Sequence, residues 1–129
     1  MAVILLVEDE RTVLNFVSAV LRTSGWEVLT AGNGLEGLAV FRSYANLIDV
    51  VLTDLKMPVM DGYELIGRIR DSKPDTRIIC MSGFSERECP PGVLFLAKPF
   101  TADVIRGAIE QTLDEKKGQA DPAPGGNLS

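Results

Sequence analysis

The chain contains no histidine. That absence removes Ser-His-Asp and Cys-His catalysis, and the common histidine-containing zinc sites. It also means that the chain cannot supply a phosphohistidine of its own. Positive charge is sparse and scattered: 13 Lys and Arg against 18 Asp and Glu give a formal net charge of −5. Nucleic-acid binding needs clustered basic residues to neutralise phosphates, so direct binding of nucleic acid is not expected. No apolar run approaches the roughly 20 residues of a membrane span. The run Ala2–Val7 is too short for a signal peptide and lacks a basic flank. We therefore expect a cytoplasmic protein away from the membrane. Cysteine is confined to Cys80 and Cys89. Cys80 lies in an apolar run and reads as a core thiol, while Cys89 falls in a loop-like segment. In a reducing compartment a disulfide is not expected.

What is present suits one domain. The 129 residues are 46% hydrophobic, enough for a sizeable core. Short apolar runs alternate with amphipathic stretches. The runs are Ala2–Val7, Glu27–Ala31, Asp49–Thr53, Arg77–Met81 and Val93–Ala97. AVILLV, VVL and VLFLA are continuously apolar, which suits strands buried on both faces of a parallel sheet. Between them lie helical patterns. Val13, Phe16, Val17, Val20 and Leu21 mark one apolar face, with Gly25 as a stop. Leu35, Leu38, Ala39 and Phe41 mark a second. Leu65, Ile66 and Ile69 mark a third, and Val104, Ile105, Ala108, Ile109 and Leu113 the last. Thr101 can cap the last helix, Asp103 favours its positive end, and Lys116, Lys117 and Gly118 suit its close. Five βα repeats predict an open α/β domain with right-handed crossovers. The segment GFSERECPPG leaves room for a turn or two of helix before Pro90 and Pro91. The stretch GQADPAPGGNLS, residues 118–129, has no apolar period and reads as a flexible tail after a domain spanning 1–117.

Polar residues gather where the apolar runs end. Glu8, Asp9 and Glu10 follow the first, Asp54 the third, Ser82 the fourth and Lys98 the fifth. In an open parallel sheet these ends converge on one crevice, where ligands bind. Packed carboxylates repel one another and call for a cation. Hard oxygen ligands with open positions suit Mg²⁺. Lys98 adds a fixed positive charge and Ser82 a hydroxyl. Carboxylate, magnesium, lysine and hydroxyl together match the needs of a transferring phosphoryl group. Asp54 can serve as its nucleophile.

The segments LLVEDE, VVLTDLKMPVMDGYEL, IICMSGF and FLAKPF, in that order, resemble the response-regulator receiver domain of two-component signalling. The resemblance runs from Val3 to about Leu113. It implies a flavodoxin-like five-stranded parallel sheet in order 2-1-3-4-5, with helices on both faces. It implies phosphorylation at Asp54, and a Mg²⁺ site from Glu8, Asp9, Asp54 and the backbone carbonyl of Lys56. Ser82 and Phe95 fill the switch positions of the family, Lys98 its lysine position, and Lys98–Pro99 its cis peptide. The implied partners are a histidine kinase or histidine phosphotransfer protein and a downstream protein, with a phosphorylation-dependent dimer also within the family's range. The SGF and KPF contexts are similar to receivers attached to hybrid sensor kinases, so a receiver portion of such a kinase or of a phosphorelay protein is the alternative. Met1 close to the first strand suits a natural start; a stand-alone regulator and a part of a larger protein both stay open. Two departures stand out. The stretch from Ser82 to Lys98 is short, which predicts a short or irregular fourth helix and a different output surface. Phe95 lacks the hydroxyl of the tyrosine commoner at its position.

Other readings of the same residues are weaker. Glu8 and Asp9 could also favour the start of the first helix. Gly32-Asn33-Gly34-Leu35-Glu36-Gly37 matches G-x-G-x-x-G, but that dinucleotide fingerprint belongs on the first βα turn and this is the second. A local account suffices, with Asn33 as helix cap and Glu36 at the capping-box position. An aspartyl-phosphate phosphatase acting on external substrates needs an acid two residues after its nucleophile, and Lys56 stands there. No separate enzymatic substrate is expected. A phosphorylation-independent interaction module would not need Asp9, Asp54, Ser82 and Lys98 together.

Overall fold

The apolar runs become strands and the periodic stretches become helices. In a computed structural model, residues 1–83 and 89–120 are described. The elements are β1 (Val3–Val7), α1 (Arg11–Thr23), β2 (Glu27–Ala31), α2 (Gly34–Tyr44), β3 (Val50–Asp54), α3 (Gly62–Ser72), β4 (Arg77–Ser82), β5 (Leu94–Ala97) and α4 (Ala102–Ala120). All neighbouring strands pair in parallel, in the order β2-β1-β3-β4-β5. This is the flavodoxin-like arrangement expected. The chain steps one way from β1 to β2 and then returns past β1 to β3 on its other side. The crevice at that reversal lies between the ends of β1 and β3, next to Glu8, Asp9 and Asp54.

Side chains along β1 alternate between two core layers, with the period of two of a strand. On β1, Ile4 and Leu6 join a core layer with Val17, Val20 and Leu21 of α1 and Ile105 and Ile109 of α4. Leu5 and Val7 join the opposite layer with Leu38 and Phe41 of α2 and Leu65, Ile66 and Ile69 of α3. Both faces are thus covered, which is why the central strands are continuously apolar. Each fully buried Leu or Ile contributes about 1.5–3 kcal/mol through removal from water.

Local signals fix the helix starts. The Asn33 Oδ1 accepts the Glu36 N–H at 2.8 Å, and Glu36 Oε1 accepts the Gly32 N–H at 2.6 Å. The Asp61 Oδ1 accepts the Glu64 N–H at 3.0 Å, and Thr101 Oγ1 accepts the Val104 N–H at 3.3 Å. Gly25 follows α1 with φ +95°, a conformation that suits glycine after a helix. Two glycines are set by close approach. A Cβ at Gly34 would lie 2.2 Å from the Met60 carbonyl oxygen, and one at Gly62 would lie 2.1 Å from the Asp54 carbonyl oxygen. Gly34 therefore serves packing, which removes the need for a phosphate-cradling role in the Gly32–Gly37 motif. Gly62 lets α3 begin directly beneath the end of β3.

Several expectations need correction. Phe16, Leu35 and Val104 are exposed, at 44%, 55% and 48%, and Ala39 is exposed as well. Each lies beside the buried stripe of its helix, about 100° round from a core residue. The strand ends move by one residue: β1 begins at Val3, β3 runs Val50–Asp54, β4 includes Ser82, and β5 begins at Leu94. Helix α4 continues through Gly118 to Ala120. A glycine inside a helix costs about 1 kcal/mol relative to alanine, too little to stop it. The expected short fourth helix falls on residues 84–88, outside the described residues, as do residues 121–129 of the expected tail. No helix among the described residues is long and apolar enough to cross a membrane.

Candidate functional site

Asp54 is the last residue of β3 and is buried, with 6% of the residue exposed. Its Oδ1 accepts the Leu55 N–H at 2.8 Å, with the Lys56 N–H at 3.4 Å. Its Oδ2 accepts from Lys98 Nζ at 3.0 Å. Glu8, one residue past β1 and 1% exposed, presents Oε1 to the same ammonium at 3.0 Å. The second oxygen of Glu8 accepts the Glu10 N–H at 3.0 Å. Lys98 therefore bridges two carboxylates from two different strand ends. Asp9 is exposed, and one carboxylate oxygen each from Glu8, Asp9 and Asp54 lie within 4.8 Å of one another.

The backbone holds the lysine in place. The Lys98 N–H donates to the Ser82 carbonyl at 2.8 Å, and the Lys98–Pro99 peptide is cis. Ser82 ends β4, is 1% exposed, and pairs in register with Ala97. The ends of β4 and β5 are thus level, and Asp54 at the end of β3 lies opposite Met81, one residue before Ser82. Four expected residues, Glu8, Asp9, Asp54 and Lys98, converge directly, and Ser82 joins them through its carbonyl. Lys56 is exposed, with its ammonium 6.0 Å from the centre of the Tyr63 ring. Phe95 sits on β5 opposite Cys80 and packs with the α2/α3 core layer.

Electrostatics follow from burial. Desolvation pushes the Glu8 carboxyl up from its ordinary 4.5 to about 7, Asp54 adds repulsion, and the Glu10 N–H and Lys98 pull the other way. Burial also works against the Lys98 charge, but Asp54 and Glu8 outweigh it and hold the ammonium above its usual range. Three carboxylates against one ammonium leave two negative charges, when all are ionised. That set of hard oxygen donors fits a divalent cation.

The raised Glu8 value sets a pH dependence. The folded carboxyl holds its proton more tightly than the unfolded one. Its contribution to stability is present in full below the unfolded value of 4.5 and is lost as pH rises through about 7. Metal-free protein should lose stability across this window, and Glu8→Gln should flatten the loss. Denaturant unfolding at a series of pH values measures both.

Sequence reasoning missed three features. One is the shared grip of Glu8 and Asp54 on Lys98, for which no sequence pattern gives a signal. The second is an apolar groove of about 450 Å³ beside Lys98, lined by Thr12, Val13, Phe16, Pro99 and Phe100. Phe16 reads as core in the sequence, so the groove had no separate signal there. The third is the approach of Cys89 to Cys80.

Comparison with known proteins agrees with this geometry. The family model of the response regulator receiver domain matches residues 4–110. The sensor kinase CckA of Brucella abortus is 32% identical over 121 residues, covering 89% of this chain and 13% of that protein. The cell cycle response regulator CtrA of Brucella abortus is 30% identical over 123 residues, covering 91% of this chain and 52% of that protein. The chain therefore spans about half or less of the length of these relatives. Among solved structures, a response regulator receiver domain protein from Clostridium thermocellum superposes with a TM-score of 0.84 at 35% identity, covering 91% of this chain and 98% of that one. The receiver domain of the hybrid histidine kinase CckA superposes with a TM-score of 0.77 at 34% identity, covering 87% and 99%. With the strand order, the acidic cluster and the family match in agreement, the chain belongs to the response regulator receiver domain family.

Proposed function

We propose that Asp54 accepts a phosphoryl group from a phosphohistidine on a partner kinase or phosphotransfer protein, and that the resulting acyl phosphate switches the domain to relay a signal. The observation that carries this reading is the Lys98 ammonium held between Asp54 and Glu8 at 3.0 Å from each. It places positive charge where phosphoryl oxygens gather, beside a carboxylate nucleophile.

Glu8, Asp9, Asp54 and the carbonyl of Lys56 would hold Mg²⁺, which supplies charge neutralisation to the phosphoryl oxygens when bound. Asp54 attacks phosphorus. A P–O bond forms, the P–N bond to the donor imidazole breaks, and its electron pair returns to the ring. Lys98 offers its ammonium to a phosphoryl oxygen, and Ser82 its hydroxyl. Phe95, already half-buried, packs inward as Ser82 shifts, which biases an existing equilibrium. Phe95 has no hydroxyl to bond in the inward state, so packing alone favours it. No acid stands two residues after Asp54, so we assign no turnover of external phosphate esters. The receiver extends through the end of α4 at Ala120 and works in the cytoplasm. Incubation of the protein with acetyl phosphate and Mg²⁺ should add one phosphoryl mass, and chelation of the metal should prevent it. An unchanged mass in the presence of both would overturn the reading.

The donor needs a surface next to Asp54, and the groove at Phe16, Pro99 and Phe100 borders Lys98. Truncation of an exposed apolar anchor in an interface costs about 1–2 kcal/mol. Phe16→Ala should therefore slow transfer from a phosphorylated donor protein about tenfold, while uptake from acetyl phosphate stays unchanged. Stopped-time transfer assays with the two donors check this.

A further inference from the structure

Two thiols nine positions apart meet at the edge of the α2/α3 core layer. The sulfurs of Cys80 and Cys89 lie 2.7 Å apart, and both residues carry free thiols. Cys80 is fully buried in β4, between Ile79 and Met81. Cys89 is only partly buried and also donates to the Val93 carbonyl at 3.2 Å. A thiol is a weak donor and a weak acceptor, so hydrogen bonding gives little reason for two to face each other here. A lone buried cysteine is inert. What distinguishes this pair is one partly exposed cysteine in contact with one that is fully buried. The covalent S–S length is about 2.03–2.05 Å, so only a small movement separates contact from a bond.

We propose that Cys80 and Cys89 are a redox pair that closes to an intramolecular disulfide on meeting a hydroperoxide and reopens with a dithiol reductant. Cys89 reacts first because an oxidant can reach it. As thiolate it attacks a peroxide oxygen. An S–O bond forms, the O–O bond breaks, and hydroxide leaves with the Cys89 proton as water. The product is a sulfenic acid on Cys89. Cys80 then attacks that sulfur. The S–S bond forms, the S–O bond breaks, and a second water carries away the hydroxyl and the Cys80 proton. In sum the two thiols lose two electrons and two protons, and one hydrogen peroxide becomes two waters. Burial pushes the Cys80 thiol above its ordinary range, which fits the second role and not the first. Reducing compartments do contain disulfides of this transient, sensing kind.

The bond would bracket Ser82, two residues after Cys80. Ser82 accepts the Lys98 N–H at 2.8 Å through its carbonyl. Its hydroxyl is the group assigned above to a phosphoryl oxygen. A cross-link from β4 to Cys89 holds this strand end in its present arrangement and opposes the shift of Ser82. This consequence rests on the phosphoacceptor reading; the redox pair itself does not.

The test uses the full chain, reduced, then exposed to hydrogen peroxide, quenched with acid and alkylated after unfolding. Free thiols should fall from two to zero. The intact mass should drop by two hydrogens, a peptide joining Cys80 to Cys89 should appear without reductant, and dithiothreitol should restore both thiols. Cys80→Ala should stop at a dimedone-trappable sulfenic acid on Cys89, and Cys89→Ser should keep its Cys80 thiol under the same exposure. Retention of both thiols in the unsubstituted chain, sulfinic acid on Cys89 without the cross-link, or links between chains only would each overturn the pair. Phosphoryl uptake from acetyl phosphate with Mg²⁺ should be several-fold slower in the oxidised chain, with Cys89→Ser indifferent to peroxide. Equal rates in oxidised and reduced protein would overturn the coupling. If the reduced chain takes up no phosphoryl group, the phosphoacceptor reading fails, and the thiol count still decides the redox pair.

Discussion

Asp54→Asn should abolish phosphoryl uptake from acetyl phosphate and leave the fold intact. The side chain is nearly isosteric, so Gly62 still packs beneath the end of β3 and the Asn oxygen can still accept the Leu55 N–H. What is lost is the nucleophile, since a neutral amide cannot form an acyl phosphate. The substitution also removes one of the two carboxylates that Lys98 bridges, together with its repulsion toward Glu8. Metal-free stability should therefore be equal to or slightly above that of the parent. Mg²⁺ affinity should fall, because the cation loses one charged ligand. Intact mass and denaturant unfolding together separate this outcome from simple unfolding. An unchanged phosphoryl adduct in Asp54→Asn would move the acceptor elsewhere.

Lys98→Ala should cost both stability and transfer. The Lys98 side chain is 20% exposed, and its partners Glu8 and Asp54 are 0% and 9% exposed as side chains. Its removal leaves two buried carboxylates facing each other without a shared cation. A broken buried pair can cost about 3–5 kcal/mol. Two features reduce that here: the lysine retains some solvent, and Glu8 can take up a proton. We expect a loss of about 1–3 kcal/mol near neutral pH. The loss should shrink toward about pH 5.5, where Glu8 is protonated in either protein. Phosphoryl uptake should fall about 100-fold or more, the range for removing one preorganised charge-stabilising donor. Mg²⁺ should recover part of the stability and little of the rate. Unfolding curves at two pH values and uptake kinetics check these points.

The site was legible because each of its residues ends an apolar run. Glu8, Asp54, Ser82 and Lys98 break continuously apolar strands, and a parallel sheet places such breaks at one edge. The crevice between β1 and β3 then follows from topology. The order of the strands came from the resemblance of four ordered segments, since periodicity alone does not rank strands in a sheet. Helix margins were less legible. The apolar stripe of α1 is wider than the face that meets β1, so Phe16 reads as core but lies outside it. Leu35 and Val104 fail for the same reason. The close of α4 was misread at Gly118, because a single glycine is a weak stop. The Cys80–Cys89 approach had no sequence signal beyond one cysteine in an apolar run and another in the loop-like segment after it. Their meeting depends on how the chain returns from β4 to β5, which spacing does not encode.

The central claim names one oxygen-bearing side chain among three that lie within 4.8 Å of one another. Fragment mass spectrometry after incubation with acetyl phosphate and Mg²⁺ locates the adduct within the chain. The account predicts a single phosphoryl group on Asp54, at the end of β3. A group on Glu8 or Asp9, or an unmodified chain, would contradict it.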